Sequence, residues 1–315
     1  MHRLFLVSAL VFGLVSPVIK ALNQYELKAP QGPYLGQEPL TNTPKPFAPN
    51  LVSTKGYEYS GVFNPQMDEF YYISGDKDGS KQQFVMYKNV GKHWQQSVVS
   101  KRVGQPFIAP DGKTLHLGRR FMEKTGSGWS EVQMLAAPFN DILIMRLTAS
   151  AQGTYFFDTY DPDNLAFPLR YSRIVDGQRQ APQKLDKTIN TGTYISHPFI
   201  AADESYLIWD AKRDEGYGDS DLYISYKQPD GTWSQAINLG DKINTSAWDA
   251  AGHVTPDGKY FFFQRLIRAG KEGELPDVDI FWVSADFIET LKPAHLKGIQ
   301  TAKVDMGKGV RKNNE

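Results

Sequence analysis

The chain contains no cysteine in its 315 residues. That excludes disulfides, lipid attachment through a cysteine and zinc sites built on thiolates, so packing and hydrogen bonding must hold the fold together. It also carries no net charge. The 35 basic residues balance 35 acidic ones, and nothing in the bulk electrostatics directs the chain to nucleic acid or an anionic membrane. Catalytic signatures are missing too. There is no Gly-x-Ser-x-Gly elbow and no second α/β domain is expected to hold a triad, which argues against the prolyl-peptidase arrangement, and there is neither a His-Glu-x-x-His pair nor a phosphate-cradling glycine loop. The apolar run that opens the chain, Leu4 to Val15, follows Arg3 and precedes a small residue, Ala21. It is too short to span a bilayer comfortably and reads as an export signal over residues 1–21, with a retained anchor as the alternative. A cysteine-free exported chain fits the bacterial periplasm or the cell exterior.

What the sequence does have is strand chemistry. Aromatic residues reach 13%, and 41% hydrophobic against 22% charged residues places the chain among globular proteins. The clearest stretch is His197 to Leu239, where four short apolar runs are separated by turn residues: Asp203 and Glu204, the acidic loop Arg213 to Asp219, and Pro229 to Gly231. A lone sheet of this size cannot bury both faces, so copies must stack on it. Copies are present. Turns near Gln66, Asp111, Gly153, Asp203 and Asp257 recur at roughly 40 to 55 residues, each followed by an aromatic or aliphatic strand such as Tyr206 to Trp209 or Tyr260 to Phe263. Trp94, Trp129 and Trp233 open final strands after glycine turns, and Asp221 and Asp279 open equivalent third strands, where they are expected to accept backbone hydrogen bonds.

These units predict an all-β fold, a β-propeller of four-stranded blades with five units countable, or six if Phe121 to Asp141 hides a degenerate one. The fifth unit ends in a helical turn at Ala285 to Pro293 and lacks a fourth strand. Ala48-Pro49-Asn50-Leu51 resembles Ala236-Ile237-Asn238-Leu239, which predicts that Phe47 to Ser53 supplies the missing strand and closes the ring. The domain plan is a signal over 1–21, a proline- and glycine-rich arm over 22–46, a propeller over 47–298 and a polar tail over 299–315.

The turns Ala109-Pro110-Asp111-Gly112 and Thr255-Pro256-Asp257-Gly258, followed by an apolar strand and then Asp-Leu-Tyr or Asp-Ile-Phe, resemble the WD40-like (PD40) repeat of TolB-type β-propellers. The resemblance covers the chain after about residue 40, is strong in the last two units and weak in the second, which lacks a clear third strand after Arg120, and in the third, where Ser150-Ala151-Gln152 replaces Pro-Asp. It implies an exported propeller and no single activity, since a fold does not fix a function.

Position in the repeat turns into location. The starts of the inner strands and the loops between second and third strands share one face, the expected binding face. Glu58 and Asp249 each lie seven residues before a turn proline, Gln105 and His197 share a slot two residues further on, and His253 lies deeper in the last inner strand. With Trp248 and Arg213 these are the candidate binding residues; Tyr57 and Tyr194 flank them. A salt bridge from Arg213 to Asp219 or Asp221 is expected in the acidic loop, which lacks calcium-loop spacing. The leading expectation is a binding or scaffold module, monomeric, that takes a protein, small-molecule or saccharide ligand at the channel mouth. No cofactor is expected, with a divalent cation left open. The alternative is a propeller hydrolase or lyase using Glu58 and Asp249 as acid and base. The bland reading of each candidate is structural: carboxylates that brace neighbouring backbones and a histidine packed between blades.

Overall fold

The computed structural model describes residues 29–38, 42–160 and 167–298, so the expected export signal and polar tail lie outside the described residues. Within them the regular structure is strand throughout, save for one short helix, α1 (Phe287–Leu291), and three 3-10 turns. β1 (Lys45–Pro46) comes first and pairs with the end of the chain. Four strands follow in a meander, β2 (Tyr57–Phe63), β3 (Glu69–Gly75), β4 (Gln83–Val90) and β5 (His93–Lys101). A second sheet contains β6 (Pro106–Ile108), β7 (Thr114–Leu117) and β8 (Arg120–Thr125), with β9 (Gly128–Trp129) and β10 (Gln133–Met134) both pairing to β8. The third has β11 (Leu147–Ala149), β12 (Tyr155–Phe157) and β13 (Arg170–Ser172), a side hairpin of β14 (Ile174–Val175) and β15 (Gln178–Arg179), and the outer strand β16 (Gln183–Lys184). The fourth runs β17 (Thr193–Ile200), β18 (Tyr206–Lys212), β19 (Asp221–Tyr226), β20 (Ile237–Asn238). The last unit has β21 (Asp249–Val254), β22 (Tyr260–Arg268) and β23 (Asp277–Ser284), and a parallel pairing of Val278 with Tyr57 joins it to β2, so that the first and last units share one sheet.

The turns after the first strands close alike. The N–H groups of Ala109, Ala201 and Thr255 donate to the carbonyls of Thr114, Tyr206 and Tyr260 at 2.8, 3.0 and 2.8 Å. In the third sheet Ser150 N–H reaches Thr154 at 3.0 Å, a turn one residue shorter, which is why the Pro-Asp pair has no counterpart there. The second sheet corrects the sequence reading. Its third strand exists as β8, and the stretch Phe121 to Asp141 supplies its outer strands and a 3-10 turn instead of a separate sheet.

The chain ends also meet, one step from where the sequence placed them. Lys45 and Pro46 pair antiparallel with Trp282 and Phe281, while Phe47 to Ser53 is a turn. Ala48 and Asn50 hold positive φ of 45° and 65°, so the chain bends away before it can lengthen the strand. Phe47 N–H and Ser53 Oγ both donate to Ile280 O, at 2.7 and 3.1 Å, and pin that bend to β23. The arm adds Tyr34, whose hydroxyl bonds Asp257 and whose ring meets Phe63 and Tyr260.

Each sheet buries its faces against the sheets before and after it in the chain. Val62, Tyr71, Ile108 and Leu115 fill the gap between first and second, and Phe139, Leu147 and Phe157 that between second and third. Phe156, Ile200, Leu207 and Trp209 pack third on fourth; Ile208, Ile224, Phe261 and Val283 pack fourth on fifth. Phe63 and Phe70 near the start of the chain share one cluster with Phe47, Phe262 and Trp282. Each such large apolar side chain contributes about 1.5–3 kcal/mol when fully buried.

Candidate functional site

The inner strands β2, β17 and β21 each break register near their middle, between Tyr59 and Val62, between Ser196 and Phe199, and between Ala250 and His253. At each bulge one residue takes a left-handed backbone: Ser60 (φ 52°), His197 (51°) and Ala251 (53°). The next residue is Gly61, Pro198 or Gly252. The glycines are demanded by close approach, since a Cβ at Gly61 would lie 2.6 Å from the Phe70 ring and one at Gly252 2.5 Å from Phe261.

In β17 and β21 the bulge aims its N–H at the preceding sheet, where a carboxylate waits. Asp158, directly after β12, accepts the His197 N–H at 3.0 Å, and Asp210 of β18 accepts the Ala251 N–H at 2.8 Å. Asp158 also takes the N–H groups of Met145 and Arg146. Asp210 holds the His197 imidazole, with Nδ1 at 2.9 and 3.1 Å from its two oxygens, while Nε2 lies 3.0 Å from the Tyr59 hydroxyl. A carboxylate on Nδ1 assigns the proton to that nitrogen, so Nε2 accepts from Tyr59. Arg146 completes the cluster: 2% exposed, it donates Nη1 to Ala251 O at 2.9 Å. Burial pushes Asp158 and Tyr59 upward and Arg146 downward from their ordinary pKa values, each in the direction that disfavours charge.

Above this cluster opens a cavity of about 510 Å³. His197, Asp210, Ser196 and Ser220 give it a polar floor, and Tyr160, Phe167, Tyr194 and Trp248 give it aromatic walls. Trp248 is fixed from behind by Tyr59, the rings 5.9 Å apart and 9° from parallel. Phe167 contacts both Tyr160 and Tyr194, with centroids 5.1 and 5.8 Å away. Lys212 and Asp219, paired at 3.4 Å, sit at the rim. The linings come from starts of inner strands and from loops after second strands, the face expected to bind.

Of the sequence candidates, His197 and Trp248 meet in this cavity, and the others lie elsewhere. Glu58 is buried with its carboxylate on Thr54 N–H and Oγ1, and it lines a different cavity of about 450 Å³ with Lys55, Lys77 and Lys81. Asp249 is fully buried, bound by Thr245 N–H and Oγ1 at 2.7 Å each and by Arg265 Nε at 2.6 Å. The two carboxylates therefore share a local motif, a threonine four residues earlier, but face no common space. Gln105 is buried, and its Oε1 has no partner among the described residues. His253 is buried between Phe199 and Phe262, its pKa lowered to about 3 by burial and by Arg146. Arg213 does not pair with Asp219 or Asp221. It lies over the Tyr223 ring at 4.3 Å and donates to Thr191 O, while its neighbour Lys212, pointing the other way along the strand, takes Asp219. Asp221 accepts the N–H groups of Tyr217 and Gly218 as expected, whereas Asp279 Oδ1 has no partner among the described residues and burial raises that carboxyl to about 6. No group of three or more His, Asp or Glu able to hold a metal occurs among the described residues.

Asp158, Asp210, Arg146 and Tyr59 were not singled out from sequence. The available signal was a carboxylate closing an otherwise apolar second strand, four residues after Thr154 and after Tyr206.

No protein-family model matches the chain, and no curated protein matches it in sequence. Solved structures match in shape. The catalytic domain of Coprinopsis cinerea GH62 alpha-L-arabinofuranosidase aligns at TM-score 0.48 and 9% identity, over 78% of this chain and 95% of that one. An endo-arabinase from Bacteroides thetaiotaomicron aligns at 0.47 and 13%, over 77% and 97%. TolB from Acinetobacter baumannii aligns at 0.44 and 10%, over 73% of this chain and 54% of that one, so the chain spans about half of TolB. At these scores the likeness assigns no activity.

Proposed function

We propose that the protein is an exported, monomeric β-propeller of five blades, closed by β1 as the outer strand of the last blade, that binds a neutral saccharide in the His197–Trp248 cavity. The single observation that carries the ligand class is the cavity's composition: aromatic faces at Tyr160, Phe167, Tyr194 and Trp248 over a floor of hydroxyl, imidazole and carboxylate groups. A sugar ring presents apolar C–H faces and an equator of hydroxyls, and such a site matches both. The blade number and closure rest on the sequential packing of the sheets and on the β1–β23 pairing. Export rests on the opening run Leu4 to Val15.

Binding is favoured over turnover by the state of His197. Both ring nitrogens already have protein partners, so the imidazole is a fixed part of the floor and not a free base. The acid–base reading through Glu58 and Asp249 lacks a shared cavity in which to act. The test is calorimetric titration of the mature protein with neutral sugars, in parent and Trp248→Ala forms. Loss of one stacking wall should weaken binding by about tenfold, the equivalent of roughly 1.4 kcal/mol. Release of a product from the bound sugar, abolished in His197→Gln, would replace the binding reading with the enzymatic one.

A further inference from the structure

A second cavity, of about 680 Å³, lies beside the first, and Tyr160 lines both. The partition between them is thin: Phe167 faces one side and Pro168 the other, with Tyr160 between. Tyr160 is 42% exposed although its backbone is fixed by a 2.8 Å hydrogen bond from its N–H to Leu143 O. Leu143, which lines the second cavity, is 48% exposed. An aromatic ring and an aliphatic side chain left open on a fixed ridge between two hollows are what a chain-like ligand would cover. The second hollow also has a polar end: Arg170 lines it, and Arg170 Nε is buried with no partner among the described residues. Each volume falls in the range of roughly 300–1,000 Å³ typical of small-ligand sites, so each hollow is by itself large enough to hold a ligand unit.

We infer that the ligand is a linear oligosaccharide whose successive units occupy both cavities and cross over the Tyr160 ring. This rests on the saccharide reading above and adds the length of the ligand and a second subsite. The ring of Tyr160 would stack under the crossing unit, and Trp248 would hold the unit in the first cavity.

Titration of the full mature chain with cello- and xylo-oligosaccharides, from monosaccharide to hexasaccharide, tests it. Affinity should rise by about tenfold or more once the chain is long enough to pass the first cavity. Tyr160→Ala should weaken the long ligands by about tenfold more than the shortest ligand that binds, and so remove the gain with length, while Tyr160→Phe, which keeps the ring, should restore it. Trp248→Ala should weaken every length. Binding that depends on Trp248 but is the same for all lengths, or a Tyr160→Ala effect equal at every length, would overturn the two-subsite inference and leave the saccharide reading standing. If no sugar of any length binds, the saccharide reading itself falls.

Discussion

Asp158 and Asp210 differ from Glu58 and Asp249 in where they send their oxygens. The first pair reaches across to the next sheet, taking the bulge N–H of His197 and of Ala251. The second pair turns back on its own strand approach, to Thr54 and Thr245 four residues earlier. All are acids beside inner strands, yet only the cross-sheet type reaches the cavity floor, through Asp210. In a stacked repeat, contacts within a unit shape that unit, whereas contacts between units fix how several strands converge, and a site made of several units depends on the latter.

Removing a whole cross-sheet tie should have the largest effect. Deleting residues 22–53 takes away β1, Tyr34 and Phe47, and the melting temperature should collapse; an unchanged melt would sink the closure of first sheet on last. The single change Phe47→Ala, at a fully buried ring, should cost about 3–5 kcal/mol in denaturant titration. Next comes Asp210→Ala. It strips partners from His197 Nδ1 and the Ala251 N–H in a buried site and should cost about 3–5 kcal/mol, with loss of sugar binding. A nearly neutral result would mean that the cross-sheet carboxylates are not special.

The within-unit acids should act more gently, and Glu58 should act through pH. Burial, together with the charges of Asp279 and Asp277, raises its pKa from 4.5 to about 7. The folded state therefore holds a proton that the unfolded state releases, so stability is greatest below 4.5 and declines as pH rises toward 7. Melting temperature should fall between pH 5 and 8, and Glu58→Gln should flatten that slope; equal slopes in both proteins would exclude Glu58 as its source. The smallest effect is expected from Thr54→Val, which deletes one hydroxyl donor to Glu58 and should cost about 0.5–1.5 kcal/mol. A cost matching that of Asp210→Ala would erase the distinction between the two kinds of acid.

The sheets were legible because a strand, its turn and the next strand are local in sequence. Tyr206 to Trp209 after Asp203, or Tyr260 to Phe263 after Asp257, announce themselves by alternation and turn chemistry. Even the shared slot of Glu58 and Asp249 was readable, since both motifs lie within a few residues. The floor was not. His197 was found as a lone histidine, but its partners Asp210 and Tyr59 lie 13 and 138 residues away, and nothing local says that a bulge will aim one strand at the next. Lys45 and Pro46 in place of Phe47 to Ser53 is an error of the same origin: backbone bends at Ala48 and Asn50 decide the register, and neither residue type demands them.

Arg146 has a consequence for what a ligand would rest on. Its guanidinium reaches from the third sheet to the carbonyl of Ala251 in the fifth, beneath His197, and Asp158, Asp210 and His253 are buried around it. That crossing ties the third unit to the fifth next to the groups that hold His197, so a ligand seated on His197 and Asp210 would rest on side chains that three units hold in common.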